Sequence, residues 1–283
     1  MLASPEIIAS LNDDLALEHG AIFQYIIHSV QLRDTPLADA VKRMAREEMW
    51  HLEWLAEAIR DRGGEPTLER APVFVSAGMG ESLRTDVETE GAALSHYEAT
   101  LAIIGDSDPG LRALIERIMD DERHHAAQFT QLAAEVEAGG EPAYAATGRI
   151  QPSDFGVIGP TMTTEYAGIL QYLWNKYGCG DCEQGELYFD LAIDEMRHAG
   201  WAASYVAGMG VPQAVEVPAD KVAFVRSAAE AHERAQTLEQ QAEALYAVKA
   251  PEAVSPHLRS DLERAAVQHA FHRRVLDAMS ATE

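Results

Sequence analysis

Apolar residues recur every three or four positions along most of the chain, set among alanine, leucine, glutamate and arginine, with few runs of alternating β-branched residues. That period marks amphipathic helices. It predicts helices near 6–33, 36–62, 81–104 and 109–138, and four more near 161–177, 184–208, 219–248 and 256–280. The breaks fall on turn formers: Asp34-Thr35-Pro36, Gly63-Gly64-Glu65-Pro66 and Asp106-Ser107-Asp108-Pro109-Gly110. Beyond Gly139-Gly140 the pattern lapses through Pro142, Gly148, Pro152, Gly156 and Gly159, which predicts a linker at 141–159. The fold class expected is all-α, with domains at 1–140 and 160–283.

The two domains repeat one another. Glu18-His19-Gly20-Ala21-Ile22-Phe23-Gln24-Tyr25 returns as Glu165-Tyr166-Ala167-Gly168-Ile169-Leu170-Gln171-Tyr172, an offset of 147 residues. Glu48-Met49-Trp50-His51 returns as Glu195-Met196-Arg197-His198 at the same offset, as do Trp54 and Trp201, Pro109 and Pro256, Glu116 and Glu263, and His125 and His272. One offset shared by separate helices identifies a tandem duplication, each half an independent four-helix bundle.

The chain has 283 residues, 46 Asp plus Glu against 22 Lys plus Arg, and a formal charge of −24. Nucleic acids and anionic membranes call for a basic surface, so both are excluded as partners. The two cysteines, Cys179 and Cys182, cannot form a Cys₄ site, and they lack the βαβ context of a thioredoxin-type Cys-x-x-Cys, so they are expected to be ordinary loop thiols, against the alternative of a reversible disulfide or loop staple. No leader pattern and no long uncharged apolar run is seen, and the expectation is a cytoplasmic protein.

Among so many acids, some carry a pattern. Glu48 and His51 stand three apart, as do Glu122 and His125, which puts each pair on one helix face. Two Glu-x-x-His pairs on the second and fourth helices of one bundle suit a pair of metal ions when the other two helices each add a Glu. Glu18 is available on the first helix, and Glu88, Glu90 or Glu98 on the third. Four carboxylates balance two divalent cations, and carboxylate with imidazole suits iron or manganese.

In Glu18-x-x-Ala-Ile-x-Gln-Tyr25, Glu48-Met49-x-His51, Arg84-Thr85-Asp86-x-x-x-Glu90 and Asp121-Glu122-x-x-His125, residues 1–138 resemble bacterioferritin and the wider ferritin-like di-iron carboxylate family. The resemblance implies ferritin-like bundles, with Glu18 and Glu90 as single-helix carboxylates, Glu48 and Glu122 as bridging carboxylates, and His51 and His125 as one imidazole per metal. Met49, and Met196 with it, are implied as haem ligands, against the alternative of helix-interface packing. Tyr25, two turns after Glu18, is expected to hydrogen-bond a ligand carboxylate or give an electron to the centre. Trp54 and Trp201 follow the histidines by three residues, as neighbours of the metals or as core aromatics.

The second half keeps Glu165, Glu195 and His198, but His269 stands where Glu122 would be, giving His269-x-x-His272. Its third helix offers His232 or Glu233. This half is either a second, chemically different metal centre or a remnant kept for packing. The function expected of the whole is a non-haem di-iron oxidoreductase that binds Fe(II) and reacts it with dioxygen or peroxide, as a chain on its own or a small homo-oligomer. The alternatives are an iron-handling protein without turnover and a manganese catalase or peroxidase.

Overall fold

The computed structural model describes residues 3–32, 36–74, 76, 78–140, 151–179, 184–206 and 217–280. Among them are eight α-helices and no strand: α1 (Pro5–Gln31), α2 (Pro36–Asp61), α3 (Met79–Ile104), α4 (Pro109–Gly139), α5 (Phe155–Gly178), α6 (Gly185–Val206), α7 (Ala228–Glu252) and α8 (Pro256–Ser280). They divide into two compact units, Met1–Tyr144 and Ala145–Glu283. Helix starts follow local chemistry. Ser4, Asp108 and Ser227 each accept a hydrogen bond from a first-turn N–H, of Ile7, Leu111 and Glu230 respectively, and Pro5 and Pro109 occupy first-turn positions where no N–H is needed.

In the first unit α1 pairs with α2 and α3 with α4, and the two pairs meet through α1 on α3 and α2 on α4. The segment between α2 and α3 runs back along α1. Its contacts climb that helix in order: Thr67 N–H donates to Asn12 Oδ1, Ala71 N–H to Ala16 O and Phe74 N–H to Gln24 Oε1, while Gln31 Nε2 donates to Ser76 O. The chain therefore returns to the far end of α1 before α3 begins, and α3 lies antiparallel to α1. Ser10 pairs with Thr100, Glu18 with Tyr97, Tyr25 with Glu90 and His28 with Asp86. This register puts the acids of α1 and α3 at matched depths.

The second unit repeats the plan, with α5 on α6, α7 on α8 and α5 on α7. A cluster of Val157, Ile158, Tyr205, Tyr246, Leu258 and Leu262 forms an apolar layer. Gly178 is required where the segment before α7 crosses α5, because a Cβ there would sit 2.2 Å from Val225 O.

Three expectations are corrected. The linker does not extend to 159: a 3-10 turn at Pro152–Asp154 leads directly into α5. The reason is Asp154, wholly buried, whose carboxylate accepts from the N–H groups of Gln151, Val254 and Ser255 and so ties the start of α5 to the start of α8. The seventh helix starts at Ala228 rather than 219 and runs to Glu252, since Ser227 caps it and Pro251 falls in its last turn. Cys179 is disulfide-bonded rather than a free loop thiol, and Cys182 lies outside the described residues. Among the described residues, no helix is long and apolar enough to cross a membrane.

Asp14 is buried on α1, accepting from Thr100 Oγ1 at 2.6 Å through one oxygen while the other has no partner. Burial pushes its carboxyl up to about 7. Ionising it in the folded state therefore opposes folding, by nothing below the unfolded value near 4 and by a growing amount as pH rises toward 7. Asp14→Asn is expected to raise stability by about 1–3 kcal/mol at pH 8, less the cost of an unpaired amide, and by much less at pH 4.5. Thermal melts of the two proteins at both pH values check this; an equal difference at both would refute the neutral Asp14.

Candidate metal centres

The first unit gathers six donors from four helices: Glu18 of α1, Glu48 and His51 of α2, Glu90 of α3, and Glu122 and His125 of α4, all at 2% exposure or less. His51 Nδ1 lies 2.8 Å from Glu48 Oε2, 2.9 Å from Glu122 Oε1 and 3.6 Å from Glu18 Oε2. His125 Nδ1 lies 2.9 Å from Glu48 Oε1, 3.3 Å from Glu122 Oε2 and 3.7 Å from Glu90 Oε1. Glu48 and Glu122 thus turn one oxygen toward each histidine. Two groups result, Glu18-Glu48-His51-Glu122 and Glu48-Glu90-Glu122-His125, whose donor atoms lie within 4.8 Å of one another in each group. They share the two carboxylates that α2 and α4 contribute.

Those shared carboxylates carry the observation that tests the fit of a cation pair. Glu48 Oε1 and Glu122 Oε1 are buried without a hydrogen bond, because the imidazole nitrogens 2.9 Å away lack hydrogen-bonding alignment. Buried carboxylate oxygens without partners are unfavourable unless a cation faces them. Oxygen-rich donors with one imidazole per group suit two divalent ions of the iron and manganese kind.

The residues surrounding these donors orient them. Each histidine turns its Nε2 outward to a half-buried acid, His51 to Asp121 at 3.4 Å and His125 to Glu47 at 2.7 Å, which leaves Nδ1 aimed inward. Tyr97 donates to Glu18, and Tyr25 donates to Glu90 at 2.5 Å. Burial, and then the facing carboxylate, holds both phenols well above their ordinary range, so they remain donors. Burial also pushes Glu18 and Glu90 up, with the charges of Glu122 and Glu48 adding to it. Burial opposes charge on His51 and His125 too, but Glu48 and the neighbouring acids outweigh it, holding His51 well up and pushing His125 to about 11. Burial likewise opposes the ionised form of Glu122, yet Glu90 and the two histidines that face it hold it well below the usual carboxylate range. Among these residues alone, two ionised bridging acids face two imidazoliums. A cation pair held here would take over the charge that those protons carry.

The second unit brings together Glu165 and His269 with Glu195 and His198, and Glu195 and His269 with Glu239 and His272. Tyr246 donates to Glu165 and Tyr172 to Glu239, matching Tyr97 and Tyr25. His198 Nε2 faces Gln268 at 2.6 Å and His272 Nε2 faces Asp194 at 3.2 Å, in the places of Asp121 and Glu47. The expected third-helix donors are corrected. Glu233 is exposed and His232 half-buried, and Glu239, one to two turns further on, takes the place instead. On this helix the offset between halves is 149, so the pair Glu90 and Tyr97 returns as Glu239 and Tyr246. That seven-residue Glu-to-Tyr spacing was the signal available in the sequence.

Glu88, Glu98, His96 and His124 are exposed and stand apart from the first cluster. Met49 is fully buried and Met196 half-buried. Trp54 and Trp201 lie against His51 and His198, ring centroids 5.7 and 5.2 Å apart, each capped by an arginine, Arg117 and Arg264. Tyr97, Tyr246, Glu239 and Glu47 were not singled out from sequence, and Asp121 entered only as part of the Asp121-Glu122-x-x-His125 motif. A half-buried acid such as Glu47, beside a histidine of the cluster, has no sequence pattern distinguishing it from the surface acids.

A four-helix bundle with two metal-sized groups of carboxylate and imidazole, joined by shared carboxylates, defines the class of di-metal carboxylate proteins. Comparison with known proteins gives the family. The family model described as "Ferritin-like domain" matches residues 8–138. The bacterioferritin of Desulfovibrio desulfuricans is 29% identical over 137 residues, 47% of this chain and 76% of its own length. That of Streptomyces coelicolor is 30% identical over 153 residues, 52% of this chain and 91% of its own. The 3-demethoxyubiquinol 3-hydroxylase of Chromobacterium violaceum is 30% identical over 118 residues, 38% of this chain but only 57% of the hydroxylase. An X-ray structure of the Desulfovibrio bacterioferritin matches 48% of this chain and 82% of its own at 28% identity, with a TM-score of 0.46. The chain belongs to the ferritin-like family.

Tyr25→Phe and Tyr97→Phe each remove one donor without opening a cavity and leave Glu90 or Glu18 unanchored. Each is expected to weaken metal binding by about 10- to 100-fold, measured by competition with a chromogenic chelator. Unchanged affinity in both would show that the tyrosines are packing residues only.

Proposed function

We propose that the first bundle is a ferroxidase centre, with Fe(II) as substrate and dioxygen or peroxide as the electron acceptor. The observation carrying this reading is the pair of shared carboxylates, Glu48 and Glu122, each with a buried oxygen that no hydrogen bond satisfies. Glu18 with His51, and Glu90 with His125, would hold one iron each, and the two bridging acids would hold both. Each of two ferrous ions gives up one electron, so a two-electron acceptor leaves no unpaired oxidising equivalent. Four carboxylates offset the charge of two ferrous ions and favour the ferric state further.

The chain's own groups serve the steps around this transfer. Glu47 and Asp121 reach solvent beside the two ligand histidines, and an overall charge of −24 draws cations toward them. Tyr25, hydrogen-bonded to Glu90, fixes that carboxylate and stands one bond from the centre, placed to give it a proton or an electron. Tyr97 fixes Glu18 in the same way. Binding of iron displaces the protons held by His51, His125, Glu18 and Glu90 to solvent.

The similarity to hydroxylases favours a second reading, in which the same centre oxidises an organic molecule. Manganese fits the donors as well, and would make the reaction peroxide disproportionation. One experiment separates these. The protein is loaded anaerobically with two Fe(II) per first bundle and given a pulse of oxygen. Rapid oxygen consumption with ferric absorbance, slowed at least a hundredfold in Glu48→Gln and Glu122→Gln, is expected, since loss of a ligand exceeds the effect of a supporting residue. Iron bound without oxygen consumption would sink the ferroxidase reading in favour of iron handling without turnover. Fast peroxide disproportionation by the manganese form alone would replace it with the catalase reading.

A further inference from the structure

The second bundle departs from the first at one bridging position, and the departure has a defined geometry. In the first bundle Glu122 reaches both histidines with its two oxygens, 2.9 Å from His51 and 3.3 Å from His125. The residue in its place, His269, also faces both halves of its cluster. Its Nε2 lies 3.2 Å from Glu165 Oε1, and its Nδ1 lies 2.8 Å from Glu239 Oε2. The other two histidines behave differently. His198 and His272 turn only Nδ1 inward and give Nε2 to Gln268 and Asp194 outside the cluster. His269 has no such outward partner among its hydrogen bonds: both nitrogens are aimed at the cluster's own terminal carboxylates.

We propose that the second bundle is a dinuclear metal site in which His269 bridges two divalent ions through Nδ1 and Nε2, as an imidazolate. Glu165 and His198 hold one ion, Glu239 and His272 the other, and Glu195 lies between them. The two groups of donors overlap in Glu195 and His269, just as the first bundle's groups overlap in Glu48 and Glu122. Glu195 Oε1 is buried without a hydrogen bond, the same mark that Glu48 and Glu122 carry. All six residues are at 2% exposure or less.

Charge supports the bridge independently. Three carboxylates leave a deficit of one against two divalent ions, where the first bundle has four. Forming the second metal–nitrogen bond on His269 expels the remaining ring proton to solvent, which restores the missing negative charge and gives a neutral site. The donor set is also richer in nitrogen, three imidazoles to three carboxylates against two to four, which shifts preference toward copper and zinc and away from manganese. Imidazole lone pairs diverge where those of a carboxylate converge, so the ions are held further apart than in the first bundle.

The test uses the full chain carrying Glu48→Gln and Glu122→Gln, so that the first centre is disabled and its own activity is irrelevant to the result. Circular dichroism confirms folding, and Cu²⁺ is added. Two Cu²⁺ per chain with an antiferromagnetically coupled, largely silent EPR spectrum is the expected result. His269→Gln in the same background should lose at least one ion and, with it, the coupling. One ion per chain, none, or two with independent EPR signals would overturn the bridge. If the double variant fails to fold, the zinc content of the wild-type chain, read by elemental analysis after Zn²⁺ loading, is expected at four ions, and two would overturn the second site.

Discussion

Both bundles depend on carrying carboxylates through an apolar helical core. Seven acids, Glu18, Glu48, Glu90, Glu122, Glu165, Glu195 and Glu239, lie at 2% exposure or less. Acids so placed are costly unless neutralised and hydrogen-bonded. The first bundle meets that requirement in two layers: tyrosines from neighbouring helices donate to the terminal acids, and the imidazoles face the oxygens of the two shared acids. The helix register exists to serve this arrangement. The segment returning along α1 sets α3 antiparallel to it, and only that direction brings Tyr97 to Glu18 and Tyr25 to Glu90 together.

The duplication shows which parts are structural and which chemical. The tyrosine anchors recur in both halves, as do the tryptophans packed on the ligand histidines and the arginines over them. These hold any metal-sized cluster together. What differs is the residue shared by the two donor groups and the one beside it: His269 stands in place of Glu122 and Gln268 in place of Asp121. The first half keeps the oxygen-rich set that suits iron, and the second keeps the frame while altering the donors.

Much of this could be read from the residues. The helices, the 147-residue offset and the two Glu-x-x-His pairs follow from periodicity and spacing, because both are local. What escaped was set by tertiary register. The third helix of the second half is displaced by two residues relative to the duplication, so no gap-free alignment supplied a counterpart for Glu90 and the reading fell on nearby His232 and Glu233, while Glu239 reaches the core. Pro152 and Gly156 read as linker because their helical start depends on Asp154 accepting from Val254 and Ser255, about a hundred residues away. Glu47 and Asp121 look like any other surface acids until the histidines they support are placed.

The central claim is that the first bundle holds two ions that share Glu48 and Glu122. Anomalous diffraction at the iron edge from crystals soaked anaerobically in Fe(II) tests it most directly. Two peaks are expected, one among Glu18, Glu48, His51 and Glu122 and one among Glu48, Glu90, Glu122 and His125, with both shared carboxylates spanning them. A single peak, or peaks confined to the acidic surface, would contradict the account.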